Sequence, residues 1–253
     1  MELKEHFYMR VADLDWEIYA ENQDVVSFTR DYHISKEEAR HAIPIRMTEE
    51  KIARACKDQP EFPREMNETT AVHREMGEIL PKKQRLLFHG GLLSFLGEGI
   101  LFTAGSGVGK STHMKLWSKY LGDKVEVVNG DKPILWLKDE TCFAYGTPWA
   151  GKEGWQKNCK RELKRICIVT RGKENKIRKL ESKDALTTLL SQFYLPENQE
   201  GAMLSISLLD QLLKILPVYE LSCNISKEAV EVCLEGMTGY KLKDLNESED
   251  DRR

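Results

Sequence analysis

The segment Thr103-Ala104-Gly105-Ser106-Gly107-Val108-Gly109-Lys110-Ser111-Thr112 constrains the fold of this chain more than any other. It follows an apolar run, Ile100-Leu101-Phe102-Thr103, that reads as a strand. It precedes a helical pattern that runs from Lys110 through Met114, Leu116 and Trp117 to Leu121, with Gly122 as terminator. Strand, glycine-rich turn and helix in that order make a Walker A-type phosphate loop. Glycines at 105, 107 and 109 let backbone N–H groups approach phosphate oxygens without a Cβ in the way, and the helix N-terminus adds partial positive charge. In this reading Gly105, Ser106, Gly107, Val108, Gly109, Lys110, Ser111 and Thr112 cradle ATP. Lys110 reaches the β and γ phosphates, Ser111 coordinates Mg²⁺, and Thr112 bonds a further phosphate oxygen. Ala104 stands where the pattern opens with glycine, and so small a side chain is tolerated unless the position needs positive φ.

Such a site also needs a carboxylate on a neighbouring strand to hold the metal or take a proton from the attacking group. Asn129-Gly130-Asp131-Lys132 lies just past the apolar strand Val125 to Val128, which places Asp131 at the sheet edge beside the phosphates, as metal ligand or base. A second glycine-rich segment, Gly146 to Gly154, follows a predicted strand and carries Trp149 and Lys152. Lys152 either neutralises the γ-phosphoryl group, binds an acidic substrate, or points into water, and Trp149 either covers a ligand or packs the turn. Arg161, Arg165 and Arg171 are further sources of positive charge, one of which would suit a phosphoryl transition state.

With 253 residues, 41% apolar and 31% charged, the chain can bury a core, which excludes disorder and disulfide mini-scaffolds. A net charge of −3 gives no footprint for nucleic acid. No apolar run is long enough to span a bilayer, and Met1-Glu2-Leu3-Lys4-Glu5-His6 lacks a secretory pattern. The six scattered cysteines suit reduced thiols, so the expectation is a cytoplasmic protein with no membrane partner. Low apolar density between Lys57 and Glu78 suggests a boundary, giving a small N-terminal α/β lobe over 1–80, a nucleotide-binding domain over 81–237 and a charged, solvated tail over 238–253. In the lobe, strands are predicted at Phe7 to Val11 and Trp16 to Tyr19, and Ser35-x-x-Glu38 reads as a capping box opening a brief helix. In the larger domain, strands are predicted near 85–89, 92–95, 100–103, 125–128, 134–137, 142–145, 166–170, 177–180 and 218–221. Helices are predicted at 183–193, at 204–216 and from Ser226 to Gly236.

Over Leu87 to Asp131 the sequence resembles the HPr kinase/phosphorylase group and, more distantly, the ATP-dependent phosphoenolpyruvate carboxykinases. His89-Gly90, Gly97-Glu98-Gly99 and the phosphate loop carry that likeness. The chain also looks like a group of bacterial HPr kinase-like proteins with D-K-P and G-T-P-W-x-G-K elements, present as Asp131-Lys132-Pro133 and Gly146 to Lys152, which extends the likeness to Met237. The resemblance implies a mixed α/β sheet with flanking helices, with His89 assisting proton transfer. These families carry two consecutive aspartates, whereas Gly130 occupies the first position here, so either Asp131 combines base and metal duties, or Asn129 or a water is recruited, or efficient chemistry has been lost. The family's downstream glutamate-arginine-glycine signature is not clear around Leu163 to Arg171, and Glu153 or Glu162, both upstream of that segment, are the candidates to stand in for its glutamate.

The expected activity is Mg²⁺-dependent transfer of the ATP γ-phosphoryl group to a hydroxyl, such as a serine of a protein or peptide, with Asp131, His89, Lys110 and Lys152 as the catalytic set and Ser111 and Asp131 on the metal. A nucleotide-binding regulator without transfer, and carboxykinase chemistry on a small keto acid, are the alternatives. Relatives of this kind often assemble, which makes a homo-oligomer an expectation too.

Overall fold

The computed structural model describes residues 3–245. The chain opens with β1 (Glu5–Val11) and β2 (Leu14–Ala20), an antiparallel hairpin whose two turn residues, Ala12 and Asp13, both have positive φ, as a tight primed turn demands. After α1 (Gln23–Thr29), β3 (His33–Ile34) and β4 (Ile43–Arg46) flank the hairpin, giving the order β3-β1-β2-β4. The capping box forms as predicted, with Ser35 N donating to Glu38 Oε2 and Glu38 N to Ser35 Oγ, but no helix grows from it. Asp15 accepts the Arg40 N–H at 2.6 Å and Arg10 donates to the Glu38 carbonyl, so these backbone groups are drawn away from a helical ladder.

Two helices complete this layer, α2 (Glu49–Asp58) and α3 (Arg64–Ile79). The low apolar density that suggested a boundary belongs to α3, whose buried face includes Asn67, Glu68, Thr69 and His73. Burial of such groups requires partners. Asn67 Nδ2 donates to the Gln59 and Phe62 carbonyls, and Glu68 accepts the Glu21 and Asn22 N–H groups and the Asn22 amide.

The second sheet holds nine strands among the described residues. In chain order they and their helices are β5 (Arg85–Leu87), β6 (Gly91–Phe95), β7 (Glu98–Thr103), α4 (Lys110–Leu121), β8 (Val125–Asn129), β9 (Ile134–Lys138), β10 (Thr141–Tyr145), β11 (Lys160–Arg171), β12 (Lys176–Lys179), α5 (Ser182–Leu189), α6 (Gln199–Ile215), β13 (Val218–Cys223) and α7 (Lys227–Thr238). The sheet is mixed and turns about β11, which begins at Lys160, well before the strand predicted at 166–170. One edge of β11 runs parallel to β7; its other edge pairs antiparallel with β10 at the start and parallel with β13 at the end. Strands β7, β11 and β13 therefore deliver the loops after Thr103, Arg171 and Cys223 to one edge, the place where open α/β sheets bind ligands. Ser226 caps α7 by accepting the Ala229 N–H, and Gly239 ends it at φ 79°.

The first sheet does not have a core of its own, whereas the second has two further apolar clusters built only from its own part of the chain. Leu87, Ile134, Tyr145 and Trp149 pack in one apolar cluster with Met9, Trp16, Val72 and Met76, and α3 continues through a buried 3-10 turn across residues 80 and 81. The Asp13 carboxylate at the hairpin tip accepts Tyr145 Oη at 2.7 Å and Lys160 Nζ at 2.6 Å, a further tie. The expected solvated tail also needs correction, because Leu242 is buried against the cluster that holds Trp117 and Leu234. Residues 246–253 of that expectation lie outside the described residues. Among the described residues no helix is long and apolar enough to cross a membrane.

Candidate functional site

The turn between β7 and α4 has positive φ at Gly107 (73°) and Gly109 (123°), where a side chain would be strained, whereas Gly105 and Ala104 are not in that region. Ala at the first position therefore costs the loop nothing in backbone strain. Ala104 is buried in the apolar cluster that also holds Met114 and Trp117 of α4. The first N–H groups of a helix have no partner within it, so the start of α4 offers donors to an anion.

A cavity of about 670 Å³ lies over this turn. Gly105, Ser106, Gly107, Gly109, Lys110, Ser111 and Thr112 line it, and so do His89, Asp131 and Lys152. Val108 does not; it lies partly buried on the far side of the turn. Lys110 Nζ donates to the Gly130 carbonyl at 2.9 Å and sits 3.4 Å from Asp131 Oδ1. His89 Nε2 is 3.3 Å from the same oxygen, and Lys132 Nζ is 3.8 Å from Oδ2. Burial alone would raise the Asp131 carboxyl, but the His89 hydrogen bond, followed by Lys132 and Lys110, outweighs it and holds the group well below the usual carboxylate range. Asp131 is thus a fixed anion at neutral pH. Burial also lowers the Lys110 ammonium, with Asp131 opposing that shift.

The backbone of His89 is held from behind. Its N–H donates to the Gln192 carbonyl at 2.6 Å, and the Thr103 hydroxyl lies 2.9 Å from its carbonyl and 3.0 Å from Gln192 Oε1. Asn129 cannot join the chemistry as a second ligand or base. It is fully buried, its Oδ1 accepts the Asp131 and Lys132 N–H groups, and its Nδ2 donates to the Thr147 carbonyl. It builds the turn that aims Asp131.

Gly130 has a steric reason. A Cβ there would lie 2.5 Å from the Ala150 carbonyl oxygen, so an aspartate at this position requires the 146–154 loop to move. That loop is pinned to the acidic turn by Lys132 N donating to the Trp149 carbonyl and Gly130 N to the Trp155 carbonyl. Trp149 packs the turn and does not face a ligand: it is 8% exposed, stacks on His73 at 4.4 Å, and its Nε1 donates to the Thr69 carbonyl of α3. The loop brings Glu153 as well as Lys152 to the cavity, with Glu153 paired to Lys115 at 2.8 Å. Glu162 is elsewhere, on β11 beside Lys164. Of the three arginines, Arg161 pairs with Glu126 and Arg165 with Glu98. Arg171 donates to the Val108 and Gly107 carbonyls, bracing the loop from outside. Gln59, just past α2, reaches the same cavity, a contact that no spacing in the sequence announces.

Among the described residues no three His, Cys, Asp or Glu side chains form a metal cluster. Ser111 and Asp131 line the same cavity and carry the side-chain oxygens that would hold Mg²⁺ there, an ion usually bound by few protein oxygens completed by phosphates and water. An adjoining cavity of about 460 Å³, between α4 and the ends of β11 and β13, shares Gly107, Gly109 and Thr112 with the first.

Two histidines near the site are buried and neutral. Burial lowers His113 to about 4 and, with Lys132 adding to the effect, His73 to about 3. A depressed histidine leaves stability untouched above the unfolded value near 6.5 and removes it as pH falls toward the folded value, because only the unfolded chain takes up the proton. His73→Phe, which keeps a ring on Trp149, is therefore expected to flatten the loss of stability by about 1.4 kcal/mol per pH unit between pH 6 and 4. Urea unfolding at three pH values reads this, and an unchanged slope contradicts it.

No family model and no curated protein matches the chain. Among the solved structures that do match it is the Hpr(Ser) kinase/phosphatase from Coxiella burnetii, at 11% identity and a TM-score of 0.38, covering 66% of this chain and 96% of that one. At that degree of likeness the chemistry has to be read from the site.

Proposed function

We propose that this protein is an HPr kinase-like P-loop phosphotransferase that binds ATP with Mg²⁺ and transfers the γ-phosphoryl group to a hydroxyl. The observation that carries the reading is the convergence of Lys110 and His89 on one ionised carboxylate, Asp131, at the mouth of a glycine-rich turn. Phosphoryl transfer needs little covalent help, so positioning and charge neutralisation supply most of the rate. Lys110 leaves the Gly130 carbonyl for the β and γ phosphates, the N–H groups at the start of α4 hold phosphate oxygens, and Lys152 faces the transferred group. Mg²⁺, when bound by Ser111 and Asp131, supplies neutralisation of charge on the phosphates. The pair Asp131–His89 orients the acceptor hydroxyl and takes its proton. A serine of a protein or peptide is the acceptor that the family resemblance implies.

The nucleotide-binding regulator has one observation in its favour: the Ala150 carbonyl occupies the space a second aspartate would need. Incubation with Mg-ATP and hydroxyl acceptors separates the two. The kinase reading predicts ADP and a phosphate ester in equal amounts, dependent on Mg²⁺ and lost in Lys110→Ala. ATP left intact, with binding retained, contradicts it and favours the regulator.

A further inference from the structure

Beside the phosphate cavity lies another of about 310 Å³, between α3 and the segment 191–194. The two meet at Gln59 and His89, which line both. His73, Arg74, Lys132 and Gln192 make its polar wall, and no acidic side chain lines it. Each cation has one carboxylate partner at its margin: Arg74 Nη1 is 2.7 Å from Asp58, and Lys132 Nζ 3.8 Å from Asp131. An arginine has donors beyond the edge that one carboxylate occupies. His73 is 8% exposed, and its Nε2 has no hydrogen-bond partner in the structure. A buried ring nitrogen left unpaired is costly in a fold and is satisfied when a ligand supplies the partner.

From these features we infer that this cavity seats the phosphoryl acceptor and that the acceptor is a small hydroxy acid, its carboxylate between Arg74 and Lys132 and its hydroxyl at His89 and Asp131. The inference rests on the phosphotransferase reading and names its substrate class. Size favours a free small molecule: about 300 Å³ is the lower end of small-ligand pockets, whereas a folded partner docks over roughly 800 Å² of surface. In the transfer, the acceptor oxygen forms its bond to the γ phosphorus as the bond from that phosphorus to the β–γ bridging oxygen breaks, leaving ADP. The hydroxyl proton passes to the Asp131–His89 pair.

The test titrates the full chain, saturated with Mg²⁺ and the non-transferring β,γ-methylene analogue of ATP, with L-serine, D-glycerate and L-malate, and follows transfer from ATP by phosphorus NMR. At least one of the three is expected to bind saturably below about 1 mM and to be phosphorylated, with its carboxamide counterpart at least about tenfold weaker. Arg74→Gln is expected to raise the acceptor KM at least about tenfold while Mg-ATP affinity stays within about twofold, and Arg74→Lys to restore most of the loss. Binding by none of the three, equal binding of the carboxamide, or an acceptor KM unmoved by Arg74→Gln overturns the inference. If a serine peptide is phosphorylated while none of the three binds, the small acceptor falls and the phosphotransferase stands. If the wild-type chain does not bind Mg-ATP, both fall.

Discussion

Asp131→Asn is expected to lower phosphoryl transfer by about 10² to 10⁴-fold, in line with the loss of a positioned base and a charged ligand together. The substitution keeps shape and removes charge. Two lysines, Lys110 and Lys132, lie within 3.8 Å of this one carboxylate with His89 beside them at 3.3 Å, so the variant leaves two ammonium groups facing each other in a partly buried place. The nucleotide should still bind through the turn and the start of α4, while the dependence of affinity on Mg²⁺ weakens because a metal oxygen is lost. Steady-state rates with saturating Mg-ATP check this, and a rate within about threefold of wild type shows that Asp131 has neither role.

Trp149→Ala is expected to cost about 3 to 5 kcal/mol, the range for deleting a large buried aromatic residue. The loss is not confined to the core. Trp149 ties α3 to the loop that carries Lys152 and Glu153, by its stack on His73 and its hydrogen bond to the Thr69 carbonyl. A melting temperature lower by roughly 10 °C is the expected reading for a chain of this size. A shift under about 2 °C contradicts the placement of this ring as the pin between the layers.

The parts of the site legible in the sequence were those fixed by local chemistry. The glycines, Lys110 and the apolar spacing through Leu121 set β7, the turn and α4, and α4 has the predicted ends. Asp131 was placed because a polar turn after an apolar strand must emerge at a sheet edge. The remainder depends on contacts between distant segments. In the sequence Asn129 is available as a ligand, whereas in the fold its amide is spent on three backbone groups. Gly130 looked like a lost aspartate, and its cause is a carbonyl twenty residues later. Helix α3 is hard to read in the sequence because its buried face is partly polar, although Val72, Met76, Ile79 and Leu80 fall at i, i+4, i+7 and i+8, a helical apolar spacing. His73 and Arg74 ride on that helix, and the second cavity forms only when α3 packs against the segment 191–194, a contact that no local pattern encodes.

The measurement that tests the central claim most directly is a calorimetric titration of the full chain with ATP, with and without Mg²⁺, on wild type and Lys110→Ala. The account predicts saturable binding that Mg²⁺ strengthens and that Lys110→Ala weakens by about 100-fold, near 2.7 kcal/mol. Equal affinity in the variant would show that the glycine-rich turn is not a phosphate site, and the functional reading would fall with it.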